Sequence, residues 1–279
     1  MLDAQVRGGV ELTLSARGAG YAAIQQCLAL QSELVDRGPL EEFFGMSPLV
    51  PAARCWYLSA LGEIVVAEKL EQLGPDWRVV NAVPVGAGGS DIDHVVVGPA
   101  GVFTIHTKAH ASHRVWAAGN ALRLGGFQAD SVRDSQEEAA RASRLLTSAT
   151  GRPVVVTPLI VMVGISEMNY GLRRPAVDAV TSRGILRNLK RRKPVLTGAD
   201  VTEIADIASR RGTWHRDAVV LDDSQNLVHR FERLRLEVDA ASRRRKAWVV
   251  LGKLALVAAG LWVGAQLVDM IVTVLAGSV

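Results

Sequence analysis

Cysteine is nearly absent. The 279-residue chain holds two, Cys27 and Cys55, and neither belongs to a CxxC pair. That excludes a disulfide framework and a thiolate zinc site, and it fits a reducing compartment. An apolar run is missing at the start, where Met1 to Gly20 carries Asp3, Arg7, Glu11 and Arg17, so no signal peptide is expected. No internal repeat is visible. Gly86-Ala87-Gly88-Gly89 is followed by no GK[ST], which leaves it a turn and not a phosphate loop. His94, His110 and His113 lack zinc-ligand spacing. Trp56, Trp77, Trp116 and Trp214 are scattered, without the regular interleaving of a single-strand stacking platform. The charge excess is small, +4 with a pI near 9.3, and permits an anionic partner without requiring one.

Hydrophobic residues make up 49% of the chain, enough for one sizeable core and extra segments. The positive charge is concentrated in two runs, Arg183 to Lys193 and Arg243 to Lys246. The first suits phosphates as well as it suits a solvated helix face. The second abuts an apolar segment, Ala247 to Gly277, whose only charges are Lys253 and Asp269. Such a segment is expected to be a transmembrane helix, with Lys253 snorkelling to the headgroups and Trp248 and the basic cluster marking the cytoplasmic side. The protein is then single-pass and tail-anchored, its soluble part cytoplasmic. A buried core or oligomerisation helix is the alternative, and Asp269 argues for it, since a charge in hydrocarbon is costly.

Along the chain, a helix is expected from Tyr21 to Val35, then a Gly/Pro-punctuated arm in which little chemistry is expected. A helix from Ser59 carries Leu61, Ile64, Val65, Leu70 and Leu73 and stops at Gly74-Pro75. Strands are expected over Trp77–Val85, Asp91–Val97 and Val102–Lys108, the last two joined by the hairpin Gly98-Pro99-Ala100-Gly101. Leu122 marks another strand and Ser135 to Thr147 a helix. Pro153 to Val163 is apolar enough for a buried strand, broken or bent at Pro158. Ser182 to Arg192 reads as a helix, Val195 as a short strand, and Thr197 with Asp200 as a capping box opening a helix to Arg210. Asp217 to Ala241 reads as a short strand and a helical stalk. The division expected is residues 1–55 as N-terminal helix and linker, 56–215 as the main domain, 216–246 as charged stalk and 247–277 as membrane span. The order of elements is α/β.

Within the hairpin, His106 and Lys108 share a strand face and the partner strand begins Asp91-Ile92-Asp93-His94. Asp93 is therefore expected near His106 and Lys108 at a sheet edge, with Glu63 approaching from the preceding helix. Phosphodiester hydrolysis calls for this chemistry: carboxylates hold a divalent cation that offsets developing charge, and a lysine orients water or steadies the phosphoryl oxygens. Taken alone, Asp and Lys on adjacent strands equally describe solvated strand ends.

Three runs add a family pattern: Gly62-Glu63; Asp91-Ile92-Asp93-His94-Val95-Val96-Val97-Gly98-Pro99; and Gly101-Val102-Phe103-Thr104-Ile105-His106-Thr107-Lys108. Together, over roughly Trp56 to Trp214, they resemble the nuclease-related domain (NERD), a branch of the PD-(D/E)XK restriction-endonuclease-like superfamily. The resemblance implies a restriction-endonuclease-like central mixed sheet flanked by helices. It matches Glu63 to the helix glutamate, Asp93 to the metal-binding aspartate and Lys108 to the lysine of the third strand, with Gln128 near a downstream glutamine. It also implies Mg2+ or Mn2+ as cofactor, held by Asp93, Glu63 and His106, and nucleic acid as partner. One position departs from the pattern: His106 stands where the family has glutamate, and an imidazole brings no negative charge and favours softer metals. Glu63 is the nearest carboxylate to make up for it; Glu137 and Glu138 are further candidates. Three functions are left open: a membrane-anchored metal-dependent nuclease, a non-catalytic nucleic-acid or protein-binding module with a degenerate site, and a structural membrane protein whose basic helix meets anionic lipid.

Overall fold

The computed structural model describes residues 14, 17–32, 38–85, 91–109, 114–119, 121–124, 127–173, 175–214 and 224–276. The turn expected over Gly86–Gly89, residues His110 and His113, and the short strand expected at the start of the stalk lie outside them. The chain divides into two compact units, residues 1–30 with 52–228 and residues 31–51 with 229–279.

Two helices come first, α1 (Tyr21–Gln31) and the short α2 (Pro39–Phe43). Helix α3 (Arg54–Leu70) begins five residues before Ser59 and runs through a 3-10 turn to Leu73. Gly74, at φ +101°, ends it, a conformation that glycine adopts without penalty. Strands β1 (Arg78–Pro84), β2 (Asp91–Gly98) and β3 (Gly101–Ala109) follow as an antiparallel meander. Gly98 pairs with Gly101 across a two-residue turn, as the hairpin chemistry predicts. Gly98 has a second reason to lack a side chain, because a Cβ there would lie 2.1 Å from the ring of Trp77.

After β3 come three short strands, β4 (Arg114–Ala118), β5 (Ala121–Leu124) and β6 (Phe127–Ala129), then helix α4 (Ser131–Thr150) and strand β7 (Val156–Val163). Strand β7 pairs parallel to β3, and β8 (Glu167–Tyr170) and β9 (Asp178–Thr181) complete the strands. The main sheet has the order β1-β2-β3-β7-β9 and a smaller one β6-β5-β4-β8. The fold is thus mixed α/β, with a central mixed sheet flanked by helices, as expected. Strand β7 starts later than Pro153 and is unbroken at Pro158, which sits in the ladder opposite Thr104. Strand β9 begins pairing only at Leu159, so Pro158 lies where that flank of β7 is still open.

Helices α5 (Ile185–Lys190), α6 (Gly198–Ser209) and α7 (Arg211–Trp214) follow, and Thr197 and Asp200 form the expected reciprocal cap of α6. Val195 is not a strand: its N–H donates to Pro99 O at 2.7 Å and pins the β2–β3 turn. Residues 103, 105, 159 and 161 pack with α3 and α5 on one face of the sheet. On the other face, Val95, Val97 and Val102 pack with α4 and α6, while Ile160 and Met162 meet the small sheet. The sheet therefore has apolar cover on both faces, and polar side chains on β3 must find partners there or at its ends.

Helix α8 (Ser224–Ala276) is continuous over 53 residues, and among the described residues it alone is long and apolar enough to cross a membrane. Its apolar part is exposed, with Leu256 at 75% and Leu261 at 72%.

Candidate functional site

Alternation slips in two neighbouring strands at the same level. Val80 and Val83 both face the α4–α6 core, as do Ile92 and Val95, so two residues instead of one separate each pair. Ala82 sits at φ +49° within this step, a left-handed conformation that costs a residue with a Cβ roughly 1–2 kcal/mol. The slip turns Asp93 toward β3. Its Oδ2 accepts from the Thr107 N–H at 2.5 Å, just past the last ladder pair, His94 with Ile105. A side chain thus takes over where the β2–β3 ladder ends.

Asp93, His106 and Lys108 do come together here, although not at a sheet edge: β3 is the middle strand of five. Burial lifts the Asp93 carboxyl above its usual range, with Glu138 adding to the rise, while His106, the Thr107 N–H and Lys108 oppose it. Glu63 joins from α3. It is buried at 7% exposure, accepts from Ser59 Oγ at 3.3 Å and from the Gly20 N–H, and is lifted well above the usual carboxylate range, first by burial and next by Asp93. Gly62 explains how α3 comes so near: a Cβ at that position would lie 2.7 Å from Ala109 Cβ and 3.4 Å from Thr107 Cγ2. Glycine in the Gly62-Glu63 pair is thus a packing requirement of the site.

His106 points to the opposite face of β3, toward α4, where its Nδ1 lies 3.2 Å from Glu138 Oε1. Burial pulls the imidazole pKa down, but Glu138 and Asp93 outweigh it and leave the group above its ordinary value. His106 Nε2 and Glu138 Oε2 have no hydrogen-bond partner, nor do the buried hydroxyls of Thr104 on the strand and Ser135 on the helix. Buried polar atoms without a protein partner are uncommon in a protein interior.

Sequence reasoning missed one contributor, Arg17, and ranked another, Glu138, behind Glu63. Arg17 forms an ion pair with Asp91 and stacks over the Tyr21 ring at 4.1 Å, so a residue ahead of α1 reaches the start of β2. Burial still raises Asp91 to about 6 against the pull of Arg17. Glu138, ranked with Glu137 behind Glu63, is the one beside His106, while Glu137 lies on the solvent side, 72% exposed, near Arg133. His94 is fully buried, its Nδ1 2.8 Å from Asn81 Oδ1, and burial drops it to about 3; it is a structural histidine.

Among the described residues no three His, Cys, Asp or Glu side chains stand in a ligating group. The donors engage protein partners instead: Glu63 holds Ser59 and Gly20, Asp93 holds Thr107, and His106 holds Glu138. Their chemistry nonetheless suits a divalent cation, since carboxylates lifted by burial and by one another, with an unpaired imidazole nitrogen and carboxylate oxygen beside them, are relieved by positive charge.

Residues 58–163 match the family model NERD, nuclease-related domain, a stretch that takes in Glu63, Asp93, His106, Lys108 and Glu138. The match is consistent with the PD-(D/E)XK superfamily. No curated protein and no solved structure matches the chain.

Proposed function

We propose that this chain, which carries a nuclease-related domain over residues 58–163, is a membrane-anchored protein that hydrolyses phosphodiester bonds of nucleic acid with Mg2+ or Mn2+. The observation that carries the reading is the group of Glu63, Asp93 and Lys108 at the end of β2 and β3, with Glu138 close to His106. In this proposal residues 56–215 are the catalytic part, preceded by the segment 1–55, and the stalk 216–246 leads to the span 247–277. The basic cluster Arg243 to Lys246 supports a cytoplasmic side for that part.

Asp93 stands beside both Glu63 and His106 and would hold the cation with them, Glu63 and His106 having to turn toward it from opposite sides of β3 and each giving up its present protein partner, while Glu138 would restore the negative charge that His106 does not supply. The bound ion supplies Lewis acidity at the scissile phosphate and lowers the cost of deprotonating the attacking water. Lys108 donates from its ammonium to a non-bridging phosphate oxygen, or to the water itself, and so positions the attack. A carboxylate of the group that the ion does not engage would receive the water's proton. Water adds to phosphorus, the P–O bond to the leaving strand breaks, and that oxygen leaves with a proton from solvent. The exposed arginines 183, 187 and 191 favour a polyanionic substrate. Thr181 is in register with Lys108 through Met162, so the basic run starts from the same end of the sheet as the lysine.

The test is cleavage of labelled DNA and RNA by the full chain in detergent with Mg2+ or Mn2+. Asp93→Asn and Lys108→Met should each lose on the order of 100-fold. Activity unchanged in both would sink the assignment.

One observation favours a second reading. His106 stands where the family pattern has glutamate and its Nδ1 is taken up by Glu138 at 3.2 Å, which leaves β3 without a carboxylate of its own beside Lys108. That reading gives binding without turnover in the native chain, and cleavage only in His106→Glu.

A further inference from the structure

Helix α2 is fastened to α8 at the point where α8 turns from charged to apolar. Arg244 Nη1 donates to Glu42 O at 3.2 Å, and Trp248 Nε1 donates to Phe43 O at 2.9 Å. The rings of Phe43 and Phe44 lie with their centroids 5.0 and 5.4 Å from that of Trp248. Gly45, at φ +71°, passes so close that a Cβ there would stand 2.4 Å from Ala241 O. The arm is clamped by backbone acceptors and aromatic rings together, and a substitution at Gly45 would force it off.

The clamp does not bury the arm's own apolar surface. Leu40 is 72% exposed, Phe43 57%, Phe44 50% and Met46 53%. Four large apolar side chains this exposed in so short a segment call for an apolar cover. Their level along α8 says what covers them. Arg243 to Lys246 stand just before it, and from Ala247 to Val268 the helix is apolar but for Lys253 and Gln266. Those 22 residues, at about 1.5 Å each, span roughly 33 Å, the thickness of a bilayer's hydrocarbon core. Trp248 is then at the headgroups of the basic side, and α2 with it. Glu41 and Glu42 bring two negative charges to the arm, Glu41 Oε2 accepting from the Gly38 N–H at 3.1 Å, and the four basic residues Arg243 to Lys246 outnumber them.

We propose that residues 39–46 form an interfacial foot lying in the headgroup layer of an anionic bilayer. Leu40, Phe43, Phe44 and Met46 reach the acyl boundary while Arg243 to Lys246 meet lipid phosphates. Charge complementarity and continuity with the apolar stretch of α8 select a lipid surface over a protein partner. A cleft of about 550 Å3 lined by Pro39, Glu42, Phe43, Arg244, Ala247 and Trp248 opens between α2 and α8, with a guanidinium at its polar side for one headgroup.

The inference rests on α8 as a membrane span, and its test separates the two. The full chain carrying Cys55→Ser is reconstituted in phosphatidylcholine vesicles with phosphatidylserine, bearing a solvatochromic dye on Leu40→Cys or, in a second sample, on Leu261→Cys. Spin-labelled lipids then quench from the headgroup, the upper chain or the chain end. Leu261 quenched from the chain end establishes the span, and its failure removes the premise. With the span in place, the dye at Leu40 should be blue-shifted and quenched most by headgroup and upper-chain nitroxides, more strongly as phosphatidylserine rises. Quenching by aqueous iodide alone, or strongest quenching from the chain end, overturns the foot. Phe43→Ala should lose the shallow quenching by loosening the clamp; unchanged quenching would show that docking on α8 does not set the depth.

Discussion

His94 gives a sharp test of the packing at the distorted strands. It is fully buried, its Nδ1 bonds Asn81 Oδ1 at 2.8 Å, and its Nε2 has no partner. Protonation would place a second N–H and a full charge where nothing accepts them, and burial accordingly lowers the group from 6.5 to about 3. The unfolded chain takes up the proton as pH falls through 6.5 and the folded chain does not, so folding stability is lost progressively between 6.5 and about 3 and is fully present above that window. From pH 7 to pH 5 the loss comes to about 2 kcal/mol, at ~1.4 kcal/mol per pH unit once the unfolded histidine is charged. His94→Asn keeps a donor toward Asn81 and removes the titration. Its cavity costs stability at every pH, and that cost cancels in the comparison. Glu63, Asp91 and Asp93, lifted by burial, act in the opposite sense and favour the folded state in acid; they are present in both proteins and cancel too. Urea midpoints of the full chain in detergent, followed by near-UV circular dichroism at both pH values, give the difference. Equal acid losses in wild type and variant would refute the account of His94.

Gly62→Ala should destabilise by about 1–3 kcal/mol in the same urea assay, because α3 must retreat from Ala109; under the proposed function it should also lower cleavage by shifting Glu63. Thiol titration with a disulfide reagent at mildly alkaline pH should find one fast group per native chain, the exposed Cys55. Cys27, buried and pushed up to about 11 chiefly by burial, should react only after denaturation; two fast thiols would contradict its burial. Replacing Arg183, Arg187 and Arg191 by glutamine in the full chain, with cation omitted, should reduce the salt slope of duplex DNA binding by roughly 3, as log K against log salt. An unchanged slope would remove this run from the substrate path.

The hairpin was legible because three independent signals coincide there: alternation in β2 and β3, glycines flanking the Pro99-Ala100 turn, and a family pattern with Asp93 and Lys108 in place. The apolar run of β7 was equally plain, but Pro158 looked like a break because a sequence does not reveal that β9 starts pairing one residue later. The small sheet was mostly invisible. Its strands β4, β5, β6 and β8 are three to five residues long and of mixed polarity, and their pairing is what holds them extended. The N-terminal contacts were hidden for another reason: Arg17 and Asp91 are far apart in sequence and meet only through the tertiary fold.

Glu138 had a signal that helical phase could have read. The buried residues of α4 include Val132, Ser135, Ala139, Ala142 and Leu146, and Glu138 falls on that stripe, three after Ser135 and four before Ala142, whereas Glu137 points away. A glutamate on the covered face of a helix needs a partner, and His106 on the facing strand is that partner. The pairing makes a prediction that tells the two glutamates apart. His106 titrates above 6.5 because Glu138 and Asp93 outweigh burial, so its protonated form stabilises the fold below 6.5 and that contribution is lost as pH rises through the raised value. Glu138→Gln removes the nearer negative charge and lets burial act, so the imidazole pKa should fall, read from its ring protons by NMR in the full chain in detergent. Glu137→Gln should leave it in place. If both variants shift it alike, the pull on His106 comes from the general field of the helix, and Glu138 is no substitute for the glutamate that β3 lacks.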